Sequence, residues 1–375
     1  MNPAYAPLFR PYTFNNGATV KNRLAVAPLT HFASDADGHI SPQERAFLQN
    51  RFNGFGLFIA AATLVQADGK TFGGQPHAIG ADDLPALREV AAIAQAQGAK
   101  AILQIHHGGL KAELSDDIVA PSADAATGAR ELAAAEIERL IAAYAHAARL
   151  AAQAGFDGVE IHGANGYLLQ QFVSAQTNRR TDEWGGSLKN RLRFPLAVTD
   201  AVISAAKAHA KPDFIVGYRF SPEEPGEHGI TMADTFALID ELVQKPLQYL
   251  HVSLWDFYKK VRRGADTART RMELLHERIG GRLPLIGIGN LYTGRDIAQA
   301  FDTGWAEFIA LGKTVLLNPN LPELLQQGRE ADIQTELDPA RPDHYRLPDA
   351  LWQRCLLNQP WLPPVKGMER RIVDV

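Results

Sequence analysis

His162, Asn165 and Tyr167 fall within six residues, at the end of an apolar run, Gly158 to His162, with the make-up of a short strand. An imidazole and a carboxamide both donate hydrogen bonds to a substrate oxygen, and a phenol is a weak acid able to deliver a proton. Together they are equipped to polarise a carbonyl or nitro group and to protonate the carbon beside it. A histidine in Glu160-Ile161-His162 is equally compatible with a hydrogen-bonded core residue, so the trio alone leaves both readings open.

A second set lies downstream. Gly289 and Asn290 close one apolar run, and Gly312 and Lys313 close another, each ahead of a helical stretch. Backbone N–H groups at such turns bind phosphate, and Lys313 adds a cation. As isolated glycines they are also ordinary turn residues.

Bringing these sets together requires a scaffold that repeats. Eight short apolar runs alternate with helical patterns: Leu24 to Leu29, Leu57 to Val65, Ala101 to Ile105, Gly158 to His162, Phe214 to Phe220, Tyr249 to Ser253, Leu285 to Gly289 and Glu307 to Leu311. The helical stretches are Pro42 to Asn53, Asp83 to Gln97, Ala135 to Ala154, Leu188 to Ala208, Ala233 to Val243, Arg269 to Ile279, Gly294 to Asp302 and Leu321 to Gln327. The count predicts an α/β fold, a (β/α)8 TIM barrel in one domain over 1–375, with its core at about 24–327. An open doubly wound sheet for dinucleotides would carry G-x-G-x-x-G after its first strand, and that pattern is absent.

Residues 1–22 read as a lead-in that plugs the barrel bottom, and 328–375 as a C-terminal wrap. The long stretch after strand three, His106 to Ala134, should overhang the mouth, since barrel sites lie at the C-terminal strand ends. Those ends carry Pro28, Leu29 and Thr30, then Ala62, then Gln104 with His106, then the trio, Arg219 and the two glycine turns.

A formal net charge of -4 offers no basic field for nucleic acid or anionic lipid, which favours a small-molecule partner. A single cysteine, Cys355, excludes an internal disulfide framework and any cluster needing several thiolates. Without a leader-like start or an apolar run of about 18 residues, the expectation is a soluble, cytoplasmic protein.

The run from His162 to Phe172, with Asn178 to Ser187 and Asn190 to Phe194, resembles the signature of the old yellow enzyme family. The likeness extends to Ala27-Pro28-Leu29-Thr30, Gln104 in Gln-Ile-His-His-Gly, Ala120-Pro121-Ser122, Arg219 in Gly-Tyr-Arg-Phe-Ser-Pro, Gly289-Asn290 and Ala310-Leu311-Gly312. It covers roughly residues 7 to 325.

The resemblance implies non-covalent FMN with NADH or NADPH as co-substrate, and reduction of electron-poor C=C bonds in enones and quinones, or of nitro compounds. Hydride would come from flavin N5 and the proton from Tyr167. Thr30 would bond flavin O4, Gln104 the pyrimidine edge, and Arg219 the N1 and C2 carbonyl region, with Pro28, Leu29 and Ala62 lining the ring. Gly289, Asn290, Gly312 and Lys313 would hold the phosphate. His162 and Asn165 would grip the substrate oxygen beside His106. Arg180, Asp182, Asn190 and Arg191 would brace the Gly185-Gly186 turn.

Departures from the family pattern bear on substrate choice. Leu110 stands where many members have arginine, Lys313 replaces arginine, Trp184 replaces tyrosine, and His106 sits where several members place a bulky aromatic. Thr30 in place of cysteine favours the branch without a thiol near the flavin. A 2,4-dienoyl-CoA reductase shares such a barrel but needs a cysteine-ligated cluster that one cysteine cannot supply. A lyase or isomerase using the phosphate site for its substrate, and a silent scaffold, are the other readings. No residue pattern selects NADH over NADPH or sets an oligomeric state.

Overall fold

Eight parallel strands close on themselves in the computed structural model, which describes residues 2–369. They are β1 (Leu24–Val26), β2 (Leu57–Ile59), β3 (Lys100–His106), β4 (Gly158–Gly163), β5 (Ile215–Phe220), β6 (Tyr249–Val252), β7 (Leu285–Gly287) and β8 (Phe308–Leu311). Each pairs with the next, and β8 returns to β1 through Ile309↔Leu24 and Leu311↔Val26. The barrel expectation is met.

Helices cover the outside: α1 (Pro42–Leu48), α2 (Leu84–Ala96), α3 (Ala134–Ala154), α4 (Arg193–His209), α5 (Met232–Leu242), α6 (Arg271–Ile279), α7 (Gly294–Asp302) and α8 (Leu321–Gln327). Their starts follow local chemistry. Thr231 and Thr293 cap α5 and α7, each accepting from the backbone of an aspartate three residues on that bonds back to it. Gly155, at φ 89°, ends α3 in the left-handed region.

Strand alternation sorts side chains into two cores. Leu103, Ile105, Val159 and Ile161 point out to the helices, whereas Ile102, Ile215, Tyr249, Ile286 and Phe308 fill the barrel. Phe14 and Val20 of an N-terminal hairpin, Tyr12–Thr13 with Thr19–Val20, belong to the inner group. Phe14 stacks on Phe308, 5.6 Å between ring centres. Phe308 and Tyr249 begin their strands, so the hairpin plugs the N-terminal end and leaves the opposite end for the site.

Several boundaries differ from the sequence expectation, three of them with a clear local cause. The second run does not continue to Val65: pairing moves from Ile59↔Ile102 to Thr63↔Ile105, so four steps on one strand face three on the other. The extra residue bulges the chain at Ala60–Ala62, beside the mouth. The helical stretch from Leu188 breaks at Leu192, and α4 begins two residues before Pro195, where a missing N–H costs nothing. Helix α1 stops at Leu48, after which Arg51 turns inward. That buried guanidinium donates to the carbonyls of Phe47, Val315, Tyr345 and Arg346, tying the C-terminal wrap to the barrel. Wrap residues Leu337, Tyr345, Leu351 and Cys355 share the outer core.

Candidate active site

The inward residues change from apolar to polar on climbing the strands. On β3, Ile102 is followed by Gln104 and His106; on β4, by Glu160 and His162; on β5, Ile215 leads to Arg219; on β6, Tyr249 leads to His251 and then Ser253. A polar layer therefore lies over the hydrophobic floor. At its centre is Glu160, fully buried, with Oε1 accepting from Gln104 Nε2 at 2.7 Å. Its Oε2 accepts from the Tyr249 hydroxyl at 3.0 Å and from His251 Nδ1 at 2.8 Å. Burial alone would raise this carboxyl, yet His251, Arg219 and the Gln104 bond outweigh it and hold Glu160 below the ordinary carboxylate value.

His162, above that layer, is buried and held neutral, its pKa lowered well below the ordinary value by burial first and then by His106 and Arg219. Its Nδ1 accepts from the backbone N–H of Ala164 at 3.3 Å, so the ring proton resides on Nε2 as a donor. Tyr167 stands edge-on to it, with ring centres 5.2 Å apart. The phenol pKa is raised, mainly by burial, so it stays protonated at neutral pH. Asn165 sits between them in sequence at φ 60°, a left-handed conformation that asparagine tolerates. Its side-chain oxygen accepts from Ser253 Oγ at 2.7 Å, leaving the amide N–H groups for the mouth.

His106 joins the group, 4.4 Å from the Tyr167 ring centre and 5.3 Å from that of His162. Thr71 donates to the Gly69 carbonyl, so its Oγ1 accepts from His106 Nε2 at 3.0 Å and His106 Nδ1 carries a lone pair. That atom is buried without a partner among the described residues. Burial lowers the His106 pKa to about 3. The unfolded chain binds this proton near pH 6.5 and the folded chain does not, so stability is lost as pH falls from 6.5 towards 3. At pH 5 the loss from His106 is about 2 kcal/mol. Urea midpoints at pH 7 and pH 5 should differ in this direction, and a His106→Phe variant should show a smaller difference; an unchanged difference contradicts a buried neutral His106.

The long loop after β3 does overhang this end, since Lys111 Nζ donates to the Asn165 carbonyl at 2.7 Å and Leu110 N–H to Gln171 Oε1 at 3.0 Å. Arg180 clamps the loops after β3 and β4, donating to the Pro121 and Leu132 carbonyls and pairing with Asp182. Arg191 holds the carbonyls of Val173 and Gly186. Trp184 is buried against Phe194, and its ring N–H is unpartnered among the described residues.

The second set occupies the ends of β7 and β8. Gly289 has φ 141°, and a Cβ there would meet Phe257 N at 2.4 Å, so only glycine fits. A Cβ on Gly312 would meet Leu29 Cδ2 at 3.5 Å and Ala27 Cβ at 3.7 Å, ordinary van der Waals distances. Lys313 Nζ donates to Asn290 Oδ1 at 3.1 Å and to the Pro360 carbonyl at 2.8 Å. Pro28, Leu29 and Thr30 are half-buried at the end of β1, between these turns and the buried Ala62.

Residues 7–332 match the NADH:flavin oxidoreductase / NADH oxidase family. The chain belongs to that family. It is 48% identical to a probable NADH-dependent flavin oxidoreductase of Bacillus subtilis (strain 168), over 97% of this chain and 99% of the relative. Among solved structures it resembles the old yellow enzyme homologue from Zymomonas mobilis, with a TM-score of 0.76 and 27% identity over 91% of this chain and 99% of that one. It also resembles morphinone reductase, with a TM-score of 0.72 and 30% identity over 86% and 89% of the two chains. This family member is thus an FMN-dependent oxidoreductase with NAD(P)H as electron donor. No helix among the described residues is long and apolar enough to cross a membrane.

The side chains fit the cofactor. Gln104 spends one amide proton on Glu160 and keeps a second N–H and its oxygen, the complement of a pyrimidine edge bearing one acceptor and one donor. Arg219 Nε is buried and unpartnered among the described residues, as a group awaiting an anionic ring edge would be. Sequence reasoning missed Glu160, Tyr249, His251 and Ser253. The two-residue inward period on β6 was the signal available for the last three.

Proposed function

We propose that this enzyme reduces electron-poor C=C bonds, as in enones and quinones, with NADH or NADPH as the source of electrons. The observation that carries the reading is the convergence of two donors and one acid: the Nε2–H of a neutral His162, the amide N–H of Asn165 and the protonated phenol of Tyr167. FMN, when bound, supplies the hydride chemistry. Gln104, Arg219 and Thr30 would hold the ring, with Pro28, Leu29 and Ala62 along it; Gly289, Asn290, Gly312 and Lys313 would hold the phosphate.

His162 and Asn165 bind the carbonyl oxygen of the acceptor, and both bonds strengthen as negative charge grows there, so they favour the transition state over the ground state. A charged imidazolium would more readily lose its proton to the product oxygen; the buried neutral ring donates a hydrogen bond without giving up its proton. Tyr167 supplies the proton to the carbon next to the carbonyl. His106, packed against Tyr167 with a free lone pair, borders the same space and bears on which acceptors enter.

Tyr167→Phe is expected to keep its FMN and to oxidise NAD(P)H while reducing enones at least about 10²-fold more slowly, the low end of what a positioned general acid contributes. Stopped-flow measurement of the two half-reactions checks this. Undiminished enone turnover would remove Tyr167 from the role. A panel of enones, quinones and nitro compounds against both nicotinamides tests the reading as a whole, which fails if no activated alkene is turned over.

A further inference from the structure

Three polar groups on three strand ends form one directed chain at the mouth. Arg219 NH2 lies 3.1 Å from Ser253 Oγ, and Ser253 Oγ lies 2.7 Å from Asn165 Oδ1. A guanidinium has donors only, so Ser253 must accept from Arg219, and its single hydroxyl proton goes to Asn165. The direction of the chain is therefore fixed: Arg219 to Ser253 to the amide oxygen.

The consequence falls on Asn165. Its backbone is already pinned, with N–H donating to Ser221 Oγ at 2.9 Å and the carbonyl accepting from Lys111. The remaining freedom is rotation of the exposed carboxamide. One orientation offers N–H groups to a substrate oxygen; the flipped one offers oxygen to oxygen, which repels. Ser253 holds the amide oxygen on its own side and so selects the donating orientation. Its own backbone is fixed by N–H donation to Phe220 O at 2.8 Å. The Arg219 charge polarises the hydroxyl and strengthens its bond to the amide.

We propose that Ser253 is a positioning residue that locks Asn165 as a donor, and that through it the cation facing the flavin site is linked to the substrate grip. This rests on the function proposed above. It makes the affinity for acceptors and ligands with an electron-rich oxygen depend on a hydroxyl at position 253 that acts through the Asn165 amide.

The test uses the FMN-loaded enzyme and 4-hydroxybenzaldehyde, whose phenolate gives a visible charge-transfer band with bound flavin. Ser253→Thr and Ser253→Val differ only in the hydroxyl at nearly equal volume. The threonine variant should bind the phenol close to wild type, and the valine variant about tenfold more weakly, the size of one lost hydrogen bond. In an Asn165→Ala background the two should bind equally, because the hydroxyl acts through the amide. Equal affinities of the single variants, or a tenfold difference that persists without Asn165, overturn the proposal. Wild-type enzyme that holds FMN and shows no phenol band overturns the proposed function instead. If both variants fold poorly, Ser253→Ala decides the same question: Asn165→Ala added to it should cost less phenol affinity than it does in wild type, and an equal cost overturns the proposal.

Discussion

Replacing His162 and Asn165 together by alanine should abolish phenol binding and lower alkene turnover by at least about 10³-fold, with FMN still bound. Each side chain presents a donor at the place where charge develops on the acceptor oxygen, and one such donor typically accounts for about 10²- to 10³-fold in rate. The pair acts on one atom, so the combined loss is expected to fall short of the product of the single losses. The double variant should still retain flavin, because neither side chain belongs to the set proposed to hold the pyrimidine edge or the phosphate. A charge-transfer band that survives in the double variant means that the oxygen is gripped elsewhere.

Why these two residues were legible and their supports were not is a matter of sequence distance. His162, Asn165 and Tyr167 are local: one strand end and its turn bring them together, so their types and spacing already describe a chemistry. Gln104, Arg219 and Thr30 are scattered, and only the rule that barrel strands end at a common mouth, joined to the family resemblance, gathers them. Ser253 meets Asn165 across 88 positions, and Glu160 meets His251 across 91. Such pairings depend on the register β4–β5–β6, which composition does not encode. The bulge at Ala60–Ala62 has no glycine or proline to announce it and follows from a one-residue mismatch with β3. The break before α4 had a signal in Pro195, which belongs in a first helical turn.

In the sequence Glu160 is one charged residue within an apolar run, yet the polar layer below the mouth is organised around it. Three donors converge on its two oxygens, from Gln104, Tyr249 and His251, and Arg219 adds a positive charge nearby. Only a carboxylate accepts all three. A glutamine offers one oxygen and two protons, so at least one donor is left facing another donor in a fully buried site, and Arg219 loses its counter-charge. A stranded buried polar group costs about 1–3 kcal/mol, and the lost attraction of the nearby Arg219 charge adds to it.

Glu160→Gln is therefore expected to lower the stability of the apoprotein by about 1–3 kcal/mol, read as a lower urea midpoint with unchanged slope. It should also weaken FMN binding, because Gln104 loses the partner that fixes which way its amide faces. With one negative charge gone from near Arg219, the flavin midpoint potential should rise, since reduction places charge on the ring edge that Arg219 is proposed to hold. The wild-type carboxyl, held below its ordinary value, contributes stability above the carboxylate range that is lost on acidification, and the variant should lack that share of the acid limb. An identical urea midpoint together with identical FMN affinity would show that the polar layer does not depend on this carboxylate.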